Sequence, residues 1–370
     1  MKTVNDLLVD ESIRHQIQLL KYSNHTVRKM IAVLNRADAS LRTALLSAVE
    51  SANSSTDKIQ RLESLLGSVR AMNSQAYSQL GTDIGQALKD FTLYEAAYTT
   101  NVLTQFTPVA VSIASISAES VYAAAMARPF QGVLLKNVLV DLEANRARRI
   151  RQKVAQGFVE NKTTDQIVRD IFGTKKNQYA DGLLEVSRRE AKAVVRTAMG
   201  HLAGFVQDSV AEANADLLAA VQWLSTLDLR TSSICRIRDN KLYDTVSHKP
   251  IKHNLPWLGG PGRAHWACRS AQVYVMKSAE QLGLPSNTDV VLRNGTRATM
   301  DGQVAKETTY ADWIKEQSFA RQSEVLGPTR AKLLRDGKLP LERMYSLNGQ
   351  FLDLSQLQAS DAAAFKRAGL

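Results

Sequence analysis

Strand-like patterning in this 370-residue chain is confined to one stretch, and that limits the fold more than any other feature. Apolar and polar residues alternate at period two only between about residues 219 and 304. Residues 220–224 and 272–276 are expected to pair across the loop between them. Residues 289–292 and 297–300 flank Asn294-Gly295, a dipeptide that accepts the positive φ of a two-residue turn, so a second hairpin is expected there. Elsewhere apolar residues recur at helical spacing. The expected fold is therefore mainly α with a small antiparallel β insertion, an α+β arrangement.

The helical pattern is carried by Ile59, Leu62, Leu65, Leu66, Val69 and Met72, and again by Leu80, Ile84, Leu88 and Phe91. The polar run 51–57 separates two helices. Arg128-Pro129 ends the helix before it, because proline disfavours helical geometry in its predecessor. A long helix from 134 carries Arg146, Arg148, Arg149, Arg151 and Lys153 and runs to Gly157. Thr163 and Gln166 form a capping box for a short helix ending at Gly173. Further helices are expected over 180–213, 310–326 and 329–336, the last two stopped by Gly327-Pro328 and Gly337. Residues 96–118 hold no charged side chain, a length that would span a bilayer, but Thr, Ser, Asn and Gln recur through them and Pro108 interrupts them. A helix buried among helices or in a subunit contact is expected instead. No basic segment followed by an apolar core opens the chain, so no secretory leader is expected.

The chain uses cysteine twice, at Cys235 and Cys268, which suits a reducing compartment without a disulfide framework. Both lie in one segment with His248, His253 and His265. The His265-x-x-Cys268 spacing lets two side chains reach one ion from a tight turn. Cys235 follows the first strand and Cys268 precedes the second, so pairing of those strands brings all three residues to the base of the loop. Structural zinc takes four nitrogen or sulfur ligands, so His253, or less well His248, is the expected fourth, and zinc is the candidate cofactor. The alternative is a pair of buried, reduced cysteines behaving as small hydrophobes. A Cys–His nucleophile pair is a third reading, for which the sequence marks neither an orienting group nor an oxyanion hole. No catalytic residue and no small-molecule substrate are expected. Asp228, Arg230, Thr231, Ser232 and Arg269 read as a structural turn, in which aspartate and serine accept backbone amides and arginine forks onto a carboxylate.

A net charge of +11 favours polyanionic partners, nucleic acid first. Residues 136–200 hold 14 Lys and Arg against 8 Asp and Glu, over half of that excess. Arg146, Arg148, Arg149 and Arg151 are the expected phosphate contacts, salt-sensitive and indifferent to sequence. The same run also reads as a solvated face whose arginines cover apolar neighbours.

The run Trp223-x-x-x-Leu227-Asp228-x-Arg230-Thr231-Ser232-x-x-Cys235, then a polar loop, then His265-x-x-Cys268-Arg269-Ser270, resembles the minor head protein family of tailed phages typified by the F protein of phage Mu. The likeness covers roughly residues 140 to 350; a single proline, Pro261, stands where the family usually has two before the histidine. The resemblance implies a helical N-terminal partner-binding domain over 1–133, a Mu F-like head-morphogenesis domain over 134–350 with its β segment at about 219–304, and a C-terminal tail over 351–370. It implies an accessory virion protein and no enzyme, bound to the portal inside the capsid in several copies and acting in head assembly and in DNA packaging or ejection. Its expected partners are the portal protein, the major capsid or scaffolding protein, and phage DNA. Such a chain is made in the host cytoplasm and ends in the capsid interior near the portal. Two readings from other classes stand beside it. One is a cysteine-dependent hydrolase or toxin-like enzyme built on Cys235, His265 and Cys268. The other is a free-standing, non-specific DNA-binding protein.

Overall fold

The polar run at 51–57 falls where one long helix gives way to another. In a computed structural model, which describes residues 4–50, 55–107, 111–160, 162–283, 296–305 and 307–370, α1 spans Val4–Glu50 and α2 spans Ser55–Phe106. α3 (Ala118–Met126) stops just before Arg128-Pro129, as expected. α4 (Leu135–Val159) is the long arginine-bearing helix. α5 (Thr164–Phe172) has the expected capping box: the Gln166 amide donates to the Thr163 hydroxyl at 3.3 Å, and the Thr163 amide to the Gln166 side chain at 2.8 Å. Gly173 ends α5 with φ 86, where a Cβ would lie 2.8 Å from the Gly182 nitrogen. α6 follows over Leu183–Ala213.

The main sheet is built next. β1 (Leu218–Leu224) pairs antiparallel with β4 (Ala271–Met276), with Leu224 opposite Ala271 and Trp223 opposite Gln272. β2 (Leu242–Tyr243) and β3 (Pro250–Ile251) extend β1 on its other edge, giving the order β3-β2-β1-β4. α7 (Ser233–Arg236) is a single turn inside the long loop. Helix accounts for 62% of residues and strand for 9%, so the mainly-α expectation with a small antiparallel insertion holds.

One local expectation gains a strand and another changes. β5 (Thr296–Thr299) pairs with β6 (Gly302–Ala305), so the strand expected at 297–300 exists and pairs with the residues that follow it. Its expected partner at 289–292 and the Asn294-Gly295 turn lie outside the described residues. Residues 310–326 form two helices, α8 (Tyr310–Lys315) and α9 (Phe319–Leu326). The Ser318 side chain accepts the Arg321 amide and starts a new N-terminus, which competes with continuing the first helix. α10 (Pro328–Arg335), α11 (Leu354–Ser360) and α12 (Ala362–Ala368) complete the chain. The segment expected as a tail thus carries two helices, with Leu357 and Ala364 fully buried.

Among the described residues no helix is long and apolar enough to cross a membrane. The uncharged stretch 96–118 is the end of α2, whose Leu103 is fully buried, followed by non-helical residues from 111 to 117. There Asn214 takes the place of a backbone partner. Its side chain accepts the Ala114 amide at 2.7 Å and donates to the Ala114 carbonyl at 3.1 Å.

The chain packs as two units, each gathered from separate stretches. The sheet unit comprises Met1–Leu19, Thr92–Val121 and Gly200–Leu370; the helical unit comprises Leu20–Phe91 and Tyr122–Met199. These units are drawn by packing and interleave, whereas the segments drawn from the sequence are consecutive. In the sheet unit one core holds Leu8, Leu103, Val206, Val210, Val221, Trp223, Tyr243 and Val273. A second core gathers Tyr310, Trp313, Leu333, Leu341, Met344 and Phe365. In the helical unit Leu41, Leu45, Leu65, Val69, Ile150, Val154, Ile171 and Leu184 form the core. The start of α1 is fastened to the far end of the sheet unit: Asn5 accepts the Met276 amide at 2.7 Å, and Gln16 donates to the Arg269 carbonyl at 3.1 Å.

Candidate metal centre

Because Leu224 faces Ala271, the residues that leave β1 and enter β4 emerge side by side. They are then cross-tied. The Thr226 hydroxyl donates to the Arg269 carbonyl at 3.2 Å, and the Ser225 hydroxyl to the Cys235 carbonyl at 2.8 Å. Asp228 holds the turn from within. Its carboxylate accepts the Arg230 amide at 3.0 Å and takes both guanidinium nitrogens of Arg269, one of them at 2.8 Å. Burial works to raise the Asp228 pKa, but Arg269 outweighs it and holds the carboxyl below its ordinary value. The Thr231 hydroxyl donates to the Thr226 carbonyl at 2.5 Å. The expected structural role of this turn therefore has a specific geometry, while the Arg230 side chain is exposed.

Ser232 caps α7 through the Cys235 amide and lies 2.7 Å from His265 Nε2. Cys235 Sγ stands 3.2 Å from the same nitrogen and 3.7 Å from Cys268 Sγ. His265 and Cys268 reach one point because the turn between them is tight. The Cys268 amide bonds the His265 carbonyl at 3.2 Å, and Ala267 adopts φ 52, a strained left-handed conformation for alanine. His265 Nδ1 donates to the Trp266 carbonyl at 3.0 Å, which fixes the ring orientation. The two cysteines are 2% and 8% exposed, so the sulfurs meet away from solvent.

Their acidities diverge. Burial, reinforced by Cys268, pushes the Cys235 thiol well above its ordinary value. Cys268 is held well below its own, first by the hydrogen bond from Cys235 and then, against burial, by His265. For His265 burial acts downward, but the Cys268 sulfur outweighs it and the imidazole pKa rises. The two sulfurs and the imidazole nitrogen thus bond one another in a buried cluster, with the imidazole placed to offset charge on either sulfur.

The donor set fits zinc in type and in spacing. Zinc–sulfur bonds of about 2.3 Å at a tetrahedral angle place two sulfurs about 3.8 Å apart, close to what Cys235 and Cys268 show. All three ligand atoms lie within 4.8 Å of one another. The expected fourth ligand does not join them. His253 Nε2 bonds the Leu242 carbonyl at 2.8 Å and its Nδ1 accepts the Leu255 amide at 3.2 Å, so both ring nitrogens serve loop backbone. His248 stacks on Trp257 at 4.6 Å and faces Asp208. Cys235, His265 and Cys268 would hold the ion, and Ser232 or a water would close the shell. Chain purified in reducing buffer should carry about one zinc, and Cys268→Ser should lose it and open the 236–267 loop to protease. Wild-type protein that stays zinc-free by elemental analysis after incubation with the metal would leave the cluster a hydrogen-bonded thiol pair.

Several organising residues escaped the sequence reading. Arg238 is fully buried and donates to three backbone carbonyls, those of Pro256, Ile234 and Leu347, at 2.9, 2.9 and 2.7 Å. Asp239 and Arg297 form an ion pair with each side chain 1% exposed. The signal available was the charged run Arg236-Ile237-Arg238-Asp239 at and just after the capped turn that holds Cys235.

The expected phosphate contacts need correction. Arg146 is 1% exposed and pairs with Asp38, so its guanidinium cannot meet a phosphate. Arg149 forks onto Glu190 at 2.7 and 2.9 Å. Arg148 and Arg151 are exposed. A scan against protein-family models, a search of curated proteins and a search of solved structures each return no match to this chain.

Proposed function

We propose that this chain is a structural accessory protein of a tailed-phage head, a minor head protein that works through binding surfaces at the portal, with Cys235, His265 and Cys268 as a fastening and not a catalytic centre. One observation carries the reading. Of the residues on which the resemblance rests, Trp223, Asp228, Thr231, Ser232, Cys235, His265, Cys268 and Arg269 serve one knot at the root of one loop. Trp223 fills the core beneath it, Asp228 clamps Arg269, and Ser232 and Cys235 meet His265. Shared motif residues used to hold a scaffold suit a protein whose task is assembly.

The charge distribution supports contact with DNA through one unit. The helical unit holds 24 Lys and Arg against 14 Asp and Glu, while the sheet unit holds 23 against 22. Portal protein, with capsid or scaffolding protein, remains the proposed protein partner. On this reading the chain is made in host cytoplasm and incorporated into the virion.

The competing hydrolase reading has sulfur and imidazole at bonding distance, but the sulfurs of Cys235 and Cys268 are both buried away from any substrate. Protein analysis of purified, nuclease-treated particles tests the proposal. The chain should be found inside them at a few copies per portal, surviving external protease. Recovery only from the soluble lysate would overturn it.

A further inference from the structure

We infer that the groove between α2 and α4 is a docking site for an acidic amphipathic helix of another protein. The inference stands on the helical unit alone and does not depend on a role in phage heads.

The groove measures about 660 Å³, and its floor is apolar: Leu66 and Val69 from α2, Ala144 and Ala147 from α4. Its rim is cationic: Arg70 from α2, Arg148 and Arg151 from α4. On α4, positions 140, 144, 147 and 151 fall on one helical face. Val140 at the head of that face is 63% exposed, which extends the apolar stripe beyond the groove itself. The small side chains Ala71 and Ser74 on one wall, with Ala144 and Ala147 on the other, let a third helix approach both at ordinary packing distance.

The charges are available. Among the described residues Arg70 and Arg151 have no ion-pair or hydrogen-bond partner, and Arg148 bonds only Asn145 on its own helix. This contrasts with Arg146 and Arg149 on the same helix, both held by carboxylates. Three guanidinium groups that no carboxylate holds among the described residues, around an apolar floor, complement a helix with leucine-like residues at i, i+3, i+4 and i+7, flanked by glutamate or aspartate. A nucleic-acid backbone matches the rim but not the floor, since phosphates and sugars offer no apolar face to cover it.

The test uses the full-length protein and three fluorescent peptides of about 18 residues, long enough for five helical turns. One has a leucine face flanked by glutamates, the second has lysines in place of the glutamates, and the third is a scramble of the first. The acidic amphipathic peptide should bind at least about tenfold more tightly than either control. Arg148→Glu with Arg151→Glu should cost it at least about tenfold and improve the lysine peptide, with far-UV circular dichroism unchanged. Ala144→Trp, which fills the floor without altering charge, should also block the acidic peptide. Equal binding of acidic and scrambled peptides would overturn the inference, as would binding that ignores all three substitutions. A DNA duplex of about 30 base pairs is titrated in parallel. If the duplex alone binds, and loses affinity in the charge-reversed protein, the groove is a nucleic-acid surface and the inference fails.

Discussion

Asp239→Ala should cost the sheet unit about 3–5 kcal/mol, because it strands a buried cation. The Asp239 carboxylate accepts the Ser225 and Tyr310 amides, both at 2.7 Å, and both terminal nitrogens of Arg297 at 2.9 Å. It therefore joins the end of β1, the start of α8 and β5. Without it the Arg297 guanidinium keeps only the Ser225 and Thr308 carbonyls, which carry no compensating charge. Hydrogen exchange at the Ser225 and Tyr310 amides should accelerate together with global unfolding in denaturant. The double replacement Asp239→Leu, Arg297→Met should be milder than Asp239→Ala, since it removes the charge along with its partner. A single variant within about 1 kcal/mol of wild type would show that water reaches the pair and that the buried-charge argument is wrong.

The helical unit has its own version of this dependence. Asp38 on α1 pairs with Arg146 through one oxygen and with Arg188 through the other. Arg188 also donates to Asn35 at 3.1 Å, but among the described residues Arg146 Nε and Nη1 are buried with no hydrogen-bond partner. Asp38→Ala should therefore melt this unit at a cost of about 3–5 kcal/mol, with Asp38→Asn roughly half as severe because it retains acceptor oxygen. A chain of two units need not unfold in one step, so the loss is best read as faster amide exchange around Ile150 and Val154, whose side chains lie in the same core. Unchanged protection there would reject the assignment. Arg146→Gln belongs with these variants: its effect should appear in stability and not in any salt-dependent phosphate affinity.

These two networks mark where sequence reasoning stops. The β1–β4 ladder was legible because each strand is a mostly apolar run of six or seven residues rich in Val, Tyr and Trp, long enough to register as a strand. Once they pair, the meeting of Cys235, His265 and Cys268 follows from chain topology. His253 was not legible in the same way. Its nitrogens are claimed by the Leu242 carbonyl and the Leu255 amide, and β2 and β3 are two residues long, too short for any periodic signal. Arg146 looked like its neighbours Arg148 and Arg151 because its partner lies 108 residues earlier. Spacing along one helix tells which face a residue is on. It does not tell what covers that face. The division of 310–326 was signalled by Ser318, a good capping residue inside an otherwise helical pattern, and the pattern was given too much weight.

The fastening of Asn5 to Met276 has a consequence for the order in which the molecule can be made. The two residues are separated by 271 positions, and Gln16 and Arg269 by 253. During synthesis the first turns of α1 emerge with Leu8 and Val9 uncovered, and the end of α2 follows with Leu103. The strands that share their core, β1 and β4, leave the ribosome only in the last half of the chain. At about 5–20 residues per second the early apolar faces wait on the order of ten seconds or more for their partners. The helical unit closes sooner, since its latest residue is Met199. Long-range closure of this kind slows folding and prolongs exposure of hydrophobic surface. Such a nascent chain is suited to chaperone capture, and truncations that stop before β4 leave its first helix without the surface it was built to cover.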